Sequence, residues 1–220
     1  MRLLLTICLL LLVPPCITTA QQREKPSRRQ VKDAERLLTE RGYWTGPVDG
    51  VFDAGSRAAL IAFQKWEGRE RNGKLTLGEI EAIRASQGPR AREDGYAHVE
   101  VDIDRQVLLI VNEDSGVRVL PVSTGNDKPF PSDGQTSIAY TPRGRFVVYD
   151  KSYGWEDGAL GSVYYANYIT GGVAIHGYLS VPTKPASHGC IRIPMFAARE
   201  VSKQLMLGTI VLVYDKVSFV

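Results

Sequence analysis

Cysteine is scarce: the 220 residues hold three. Two of these, Cys8 and Cys16, lie in an N-terminal stretch built as Met1-Arg2, an apolar run from Leu3 to Val13 and the small residues Thr18-Thr19-Ala20, the pattern of a secretory signal peptide. Cleavage after Ala20 leaves Cys190 alone and excludes an internal disulfide. Also missing is an apolar run of the ~20 residues that a bilayer span requires. The expectation is an exported chain, a signal peptide over 1–20, and no stable membrane span after cleavage; an uncleaved anchor is the alternative. Lipid attachment at Cys16 is disfavoured because Val13-Pro14-Pro15 lacks the small residues such a site places there. No charge of one sign dominates: 27 Lys and Arg face 24 Asp and Glu, a net +3, so nucleic acid is excluded as a partner. There is no internal repeat. What is present, 44% hydrophobic and 23% charged residues, is an ordinary globular composition. The length admits one ordinary domain plus a small one.

The chain changes character twice. Residues 21–30 are polar, basic and carry Pro26, which predicts a linker. Ala34, Leu37 and Leu38 then share one helical face, ending before the turn-rich stretch Gly42 to Gly50. A second helix starts near Asp53 or Ser56 and repeats Ala59, Ala62, Phe63 and Trp66 at helical spacing, with Gly68 at its end. Thr76 and Glu79 have capping-box spacing for a third, whose Ile80 and Ile83 face inward. These predict a three-helix domain over 31–88. Beyond the charged stretch Gly88 to Gly95 the period falls to two. Val99, Val101 and Ile103 alternate, Val107–Val111 is a buried-looking run, Val117–Val122 resumes it, and Phe146–Tyr149 and Val173–Ile175 follow. Gly125–Gly134 is rich in Gly, Pro and Asp and reads as a loop. One helix from Pro194 to about Leu207 precedes a closing strand Thr209–Tyr214. The second domain, 96–216, is therefore mainly β.

The chemistry concentrates in Ile175-His176-Gly177 and Ser187-His188-Gly189-Cys190-Ile191-Arg192. A thiol becomes a nucleophile when an imidazole takes its proton or stabilises its anion, and two of the three histidines lie within 14 positions of Cys190. Gly189 permits a sharp turn, and the backbone N–H groups of Gly189 and Cys190 are candidates for an oxyanion site. Spacing alone leaves both His176 and His188 open as the base. Arg192 suits bidentate recognition of a carboxylate, or a surface ion pair. Ser187 suits hydrogen bonds within the loop. The plain alternative for Cys190 is a packed core thiol. A zinc site on His176, His188 and Cys190 is a further one. A papain-like protease is disfavoured because its Cys precedes its His.

Two resemblances sharpen this. Gly42-Tyr43-Trp44, Gly46-Pro47-Val48-Asp49-Gly50-Val51-Phe52 and Ala59-Leu60 to Phe63-Gln64 resemble the peptidoglycan-binding domain of bacterial wall enzymes. The pattern departs at Glu35, Asp53 and Ser56, where that family usually has Gln, Gly and Thr. Tyr43 and Trp44 are the candidates for sugar contact, while Phe52, Phe63 and Trp66 read as core. The His-Gly and Ser-His-Gly-Cys elements, with Thr141-Pro142-Arg143-Gly144-Arg145-Phe146, resemble the L,D-transpeptidase catalytic domain. That resemblance implies a β-sandwich-like fold and a peptidoglycan L,D-transpeptidase of the periplasm or cell wall that needs no cofactor and no metal. In it Cys190 is the nucleophile and His176 the base. His188 and Gly189 complete the catalytic group, and Ser187, Arg192 and Gly177 are on the substrate side. The implied partners are stem peptides and glycan. An L,D-carboxypeptidase and a non-catalytic wall-binding protein are the alternatives.

Overall fold

The computed structural model describes residues 25–217 apart from Asp133 and Ala159. The signal peptide assigned to 1–20 and the start of the expected linker lie outside the described residues. Among the described residues no helix is long and apolar enough to cross a membrane.

Three helices come first: α1 (Arg28–Glu40), α2 (Ala54–Trp66) and α3 (Leu77–Ala85). The first begins within the expected linker. Ser27 and Gln30 close a reciprocal capping box that satisfies the first free N–H groups, so the helix starts three residues before Val31. Asp53 caps α2 by accepting from Ser56 N, and Thr76 caps α3 by accepting from Glu79 N. Tyr43 is 1% exposed and packs edge-on against Phe63, 5.9 Å between ring centres. This corrects its reading as a sugar contact: Tyr43 backbone pairs with Val119, which turns the ring into the helical core. Trp44 remains half-buried, with the Arg118 guanidinium 4.5 Å from its ring centre.

The rest is two sheets. The first joins β1 (His98–Asp102), β2 (Val107–Val111), β3 (Val117–Pro121), β6 (Gly144–Val147) and β12 (Ile210–Tyr214) in the order β3-β2-β1-β12-β6, with β1 and β12 parallel. The second joins β7 (Asp150–Lys151), β9 (Gly161–Thr170), β10 (Val173–Tyr178) and β11 (Ile191–Pro194) in the order β11-β10-β9-β7, with β8 (Trp155–Gly158) also paired to β9. Helix α4 (Met195–Gln204) leaves β11 at Pro194 and ends before the expected Leu207. Between the sheets Val99, Val101, Leu108, Ile110, Ile175, Ile191 and Ile193 form one core with Ala198 and Val201 of α4.

The opposite face of the first sheet is also covered. Val107, Leu109, Val111 and Val119 join Leu37, Leu38, Leu60 and Phe63 in a second buried cluster. A strand buried on both faces needs apolar residues at every position, which is why Val107-Leu108-Leu109-Ile110-Val111 does not alternate. The expected loop Gly125–Gly134 is in part a hairpin of β4 (Pro129–Ser132) and β5 (Gln135–Ile138). Pro129 and Pro131 are tolerated because a two-stranded sheet has only edge strands.

Candidate active site

The parallel pair β10 and β11 builds the site. Their register aligns Ile175 with Ile191 and His176 with Arg192. Side chains alternate across a sheet, so Ile175, Ile191 and Ile193 enter the core while His176 and Arg192 emerge on the opposite face. Cys190 immediately precedes β11 and shares the face of Arg192. Opposite His176, β9 carries a bulge: Ile175 pairs with Asn167 but Gly177 with Tyr164, and Tyr165 adopts φ 51°. Bulges re-aim neighbouring side chains and are enriched beside active sites. The result is a cleft of about 190 Å³ lined by His176, Tyr178, Ser187, His188, Cys190 and Arg192, with Leu160–Val163 as its rim.

The cysteine loop is held from several sides. Ser187 Oγ donates to Cys190 O at 2.6 Å and accepts from Gly189 N at 3.1 Å. Thr141 Oγ1 donates to Gly189 O at 2.6 Å, which gives the Thr141–Phe146 stretch its part in the site. Gly189 has φ 146°, and a Cβ there would lie 2.9 Å from Tyr140 O, so only glycine fits without displacement. Because Ser187 engages the Gly189 N–H, the expected oxyanion pair is reduced to the Cys190 N–H.

His176 is buried, and its Nδ1 lies 2.9 Å from Gly177 O. A carbonyl only accepts, so Nδ1 carries the hydrogen and Nε2 keeps its lone pair. Burial lowers the imidazole to about 4, with the Gly177 carbonyl opposing and the Arg192 charge adding to it; His176 is neutral at pH 7. Cys190 is half-buried, and burial raises its thiol above the ordinary value, only partly offset by the Ala174 N–H and the Arg192 charge. Its Sγ lies 3.7 Å from Gly172 O. The resting cleft thus holds a neutral thiol and a neutral imidazole.

His188 is placed differently: exposed, with its ring 4.4 Å from that of Phe130 on β4. Arg192 lies over the Tyr178 ring at 4.2 Å, inside the cleft rather than in a surface ion pair. Gly177 does not line the cleft. A Cβ there would meet Ala198 Cβ at 2.5 Å, so its absent side chain admits α4, while its carbonyl holds His176, a role of its backbone. Among the described residues no three His, Cys, Asp or Glu side chains converge as metal ligands, His176, His188 and Cys190 of the alternative zinc reading included. Sequence reasoning missed the Gly172 carbonyl and Ala174 N–H at the sulfur, because backbone groups leave no residue-type signature.

Two family models match the chain: the L,D-transpeptidase catalytic domain over residues 96–213 and a peptidoglycan binding domain over residues 27–83. Among solved structures, an L,D-transpeptidase from Xylanimonas cellulosilytica is 34% identical with a TM-score of 0.80, covering 92% of this chain and 100% of that one. An L,D-transpeptidase from Stackebrandtia nassauensis shares the fold at 21% identity and TM-score 0.50, covering 90% and 97%. No curated protein sequence matches. The chain belongs to the L,D-transpeptidase catalytic domain family, and a peptidoglycan-binding domain precedes that domain.

Proposed function

We propose that the protein is an exported peptidoglycan L,D-transpeptidase that forms 3→3 cross-links through a Cys190 acyl-enzyme. The observation that carries this reading is the shared face of Cys190 and His176 in one cleft, with His176 Nδ1 tied to Gly177 O and Nε2 left to accept a proton. Substrate binding expels water from the cleft. Cys190 Sγ then attacks the carbonyl of an L-centre to D-alanine bond as its proton passes to His176 Nε2. The tetrahedral oxyanion faces the Cys190 N–H, and His176 returns the proton to the departing D-alanine amine. A side-chain amine of a neighbouring stem attacks the thioester, His176 takes its proton, and the thiol is regenerated. Arg192, braced by Tyr178, pairs with a carboxylate of the stem. His188 and Gly189 shape the loop, and the helical domain holds the enzyme near its polymer, with Trp44 the remaining candidate for sugar contact.

Mass spectrometry of products from disaccharide-tetrapeptide tests the reading, with wild type set beside Cys190→Ala and His176→Ala. Cross-linked dimers lacking one D-alanine that vanish in Cys190→Ala are the expected result. Free tripeptide alone would make the protein an L,D-carboxypeptidase. No turnover at all would leave a wall-binding protein.

A further inference from the structure

Lys65, on the last turn of α2, is the one lysine among the described residues that is fully buried. Among those residues no carboxylate pairs with it. Its Nζ donates to Val122 O at 2.7 Å and to Gln106 O at 3.1 Å, and both acceptors belong to the catalytic domain. Gln106 is a node: a non-glycine residue at φ 61°, a conformation that persists only where its surroundings fix it. Its carboxamide grips Thr124 twice, Nε2 donating to Thr124 Oγ1 at 2.7 Å and Oε1 accepting from Thr124 N at 3.1 Å. Thr124 O in turn accepts from Ala186 N and Ser187 N, both at 2.9 Å. Ser187 Oγ closes on the Cys190 carbonyl. Lys65, Gln106, Thr124 and Ser187 are all at most 1% exposed, so water cannot replace any link. A second strut runs alongside, from Arg71 Nη1 to Thr183 O at 3.3 Å.

We propose that the helical domain positions the nucleophile loop through this buried relay, making Lys65 a positioning residue for Cys190 although it lies outside the catalytic domain. The domain thereby acts on turnover as well as on attachment to the wall. The effect on turnover rests on the transpeptidase reading; the effect on the loop does not.

The test compares full-length Lys65→Met, Thr124→Val and Thr124→Ser with wild type, at a temperature where circular dichroism shows each fully folded. Turnover of soluble disaccharide-tetrapeptide separates kcat from KM, and iodoacetamide alkylation of Cys190 reports the loop without any substrate. The expected result is a fall in kcat of about tenfold or more for Lys65→Met and Thr124→Val, with KM held within about threefold, since small misplacements of a nucleophile are costly. Alkylation at neutral pH speeds up by about threefold or more in the same two variants as the released thiol loses its burial, and Thr124→Ser, which keeps the hydroxyl, stays near wild type in both. Folded Lys65→Met and Thr124→Val proteins with wild-type kcat and alkylation would overturn the proposal. So would loss of kcat in Thr124→Ser equal to that in Thr124→Val. If Lys65→Met does not fold, the two Thr124 variants decide on the same readouts. A wild type without turnover would sink the transpeptidase reading, and the alkylation comparison would still decide on the relay.

Discussion

At the scale of single residues the site is set by what burial does to two neutral groups. His176 is held at about 4 by burial, and Cys190 is raised above an ordinary thiol by the same cause. A preformed thiolate–imidazolium pair would show the reverse, a depressed thiol and a raised imidazole. The rate of Cys190 alkylation by iodoacetamide is therefore expected to climb with pH through neutrality and to reach no plateau at or below the value of a free thiol. The acid limb of kcat/KM is expected near pH 4 rather than at the 6.5 of an unperturbed imidazole. An alkylation plateau already reached at about pH 6 would reveal a resting ion pair and defeat this account. Among the residues picked from the motif, Cys190, His176 and His188 were legible as one cluster, and all three line one cleft. The different surroundings of His176 and His188 were not. They depend on where each ring packs, His176 buried with Nδ1 on the Gly177 carbonyl and His188 exposed against Phe130, and spacing in the sequence does not encode that.

Elements show where sequence patterns carry and where they stop. The strands β1, β2, β3, β10 and β12 were readable because burial imposes apolar residues on them. The strand β8, Trp155-Glu156-Asp157-Gly158, is exposed at every position and its sequence shows no period to read. The start of α1 was misplaced because the polar Ser27-Arg28-Arg29-Gln30 looks like a linker until its reciprocal cap is recognised. Within the same helix, Glu35 replaces the usual Gln of the binding-domain pattern and is 1% exposed. One carboxylate oxygen accepts from Asp49 N and Gly50 N, the other from Ser56 Oγ at 2.7 Å. Glutamine can keep this network: its oxygen takes the two backbone donors, and its amide donates to a Ser56 hydroxyl that has turned to accept. Thermal or urea unfolding should find Glu35→Gln within about 1 kcal/mol of wild type, while Glu35→Ala, which orphans buried N–H groups, loses about 1–3 kcal/mol for each group left unpaired. Equal losses in the two variants would show that charge, rather than hydrogen bonding, holds the turn.

The whole molecule is one packed body rather than a catalytic domain with a tethered binding module, since the outer face of the first sheet is finished by the helices. Lys65 sits in that junction, and its titration reports on the junction's integrity. Burial, together with the nearby Arg71 charge, lowers it from 10.5 to about 7. The sign follows from proton counting. Below pH 7 both folded and unfolded chains carry the proton, and the penalty of the buried charge is fully present. Between about pH 7 and 10 the unfolded chain keeps a proton that the folded chain has released, so stability rises with pH across that window. At ~1.4 kcal/mol for each tenfold difference in proton affinity between the two chains, the limiting gain is a few kcal/mol. Cys190 opposes it, because its raised thiol stays protonated in the fold after the unfolded thiol has ionised, and the buried Tyr43 and Tyr214 add to that opposition above pH 10. The tyrosine contributions are common to wild type and Lys65→Met and cancel in their difference, and making both measurements in a Cys190→Ala background removes that of the thiol. Urea unfolding at intervals from about pH 6.5 to 9.5 should therefore show the wild-type free energy gaining on that of Lys65→Met as pH rises, in a single transition for both proteins. Parallel curves would mean that Lys65 reaches water in solution, and two separate transitions would mean that the helices and the sheet do not share one core.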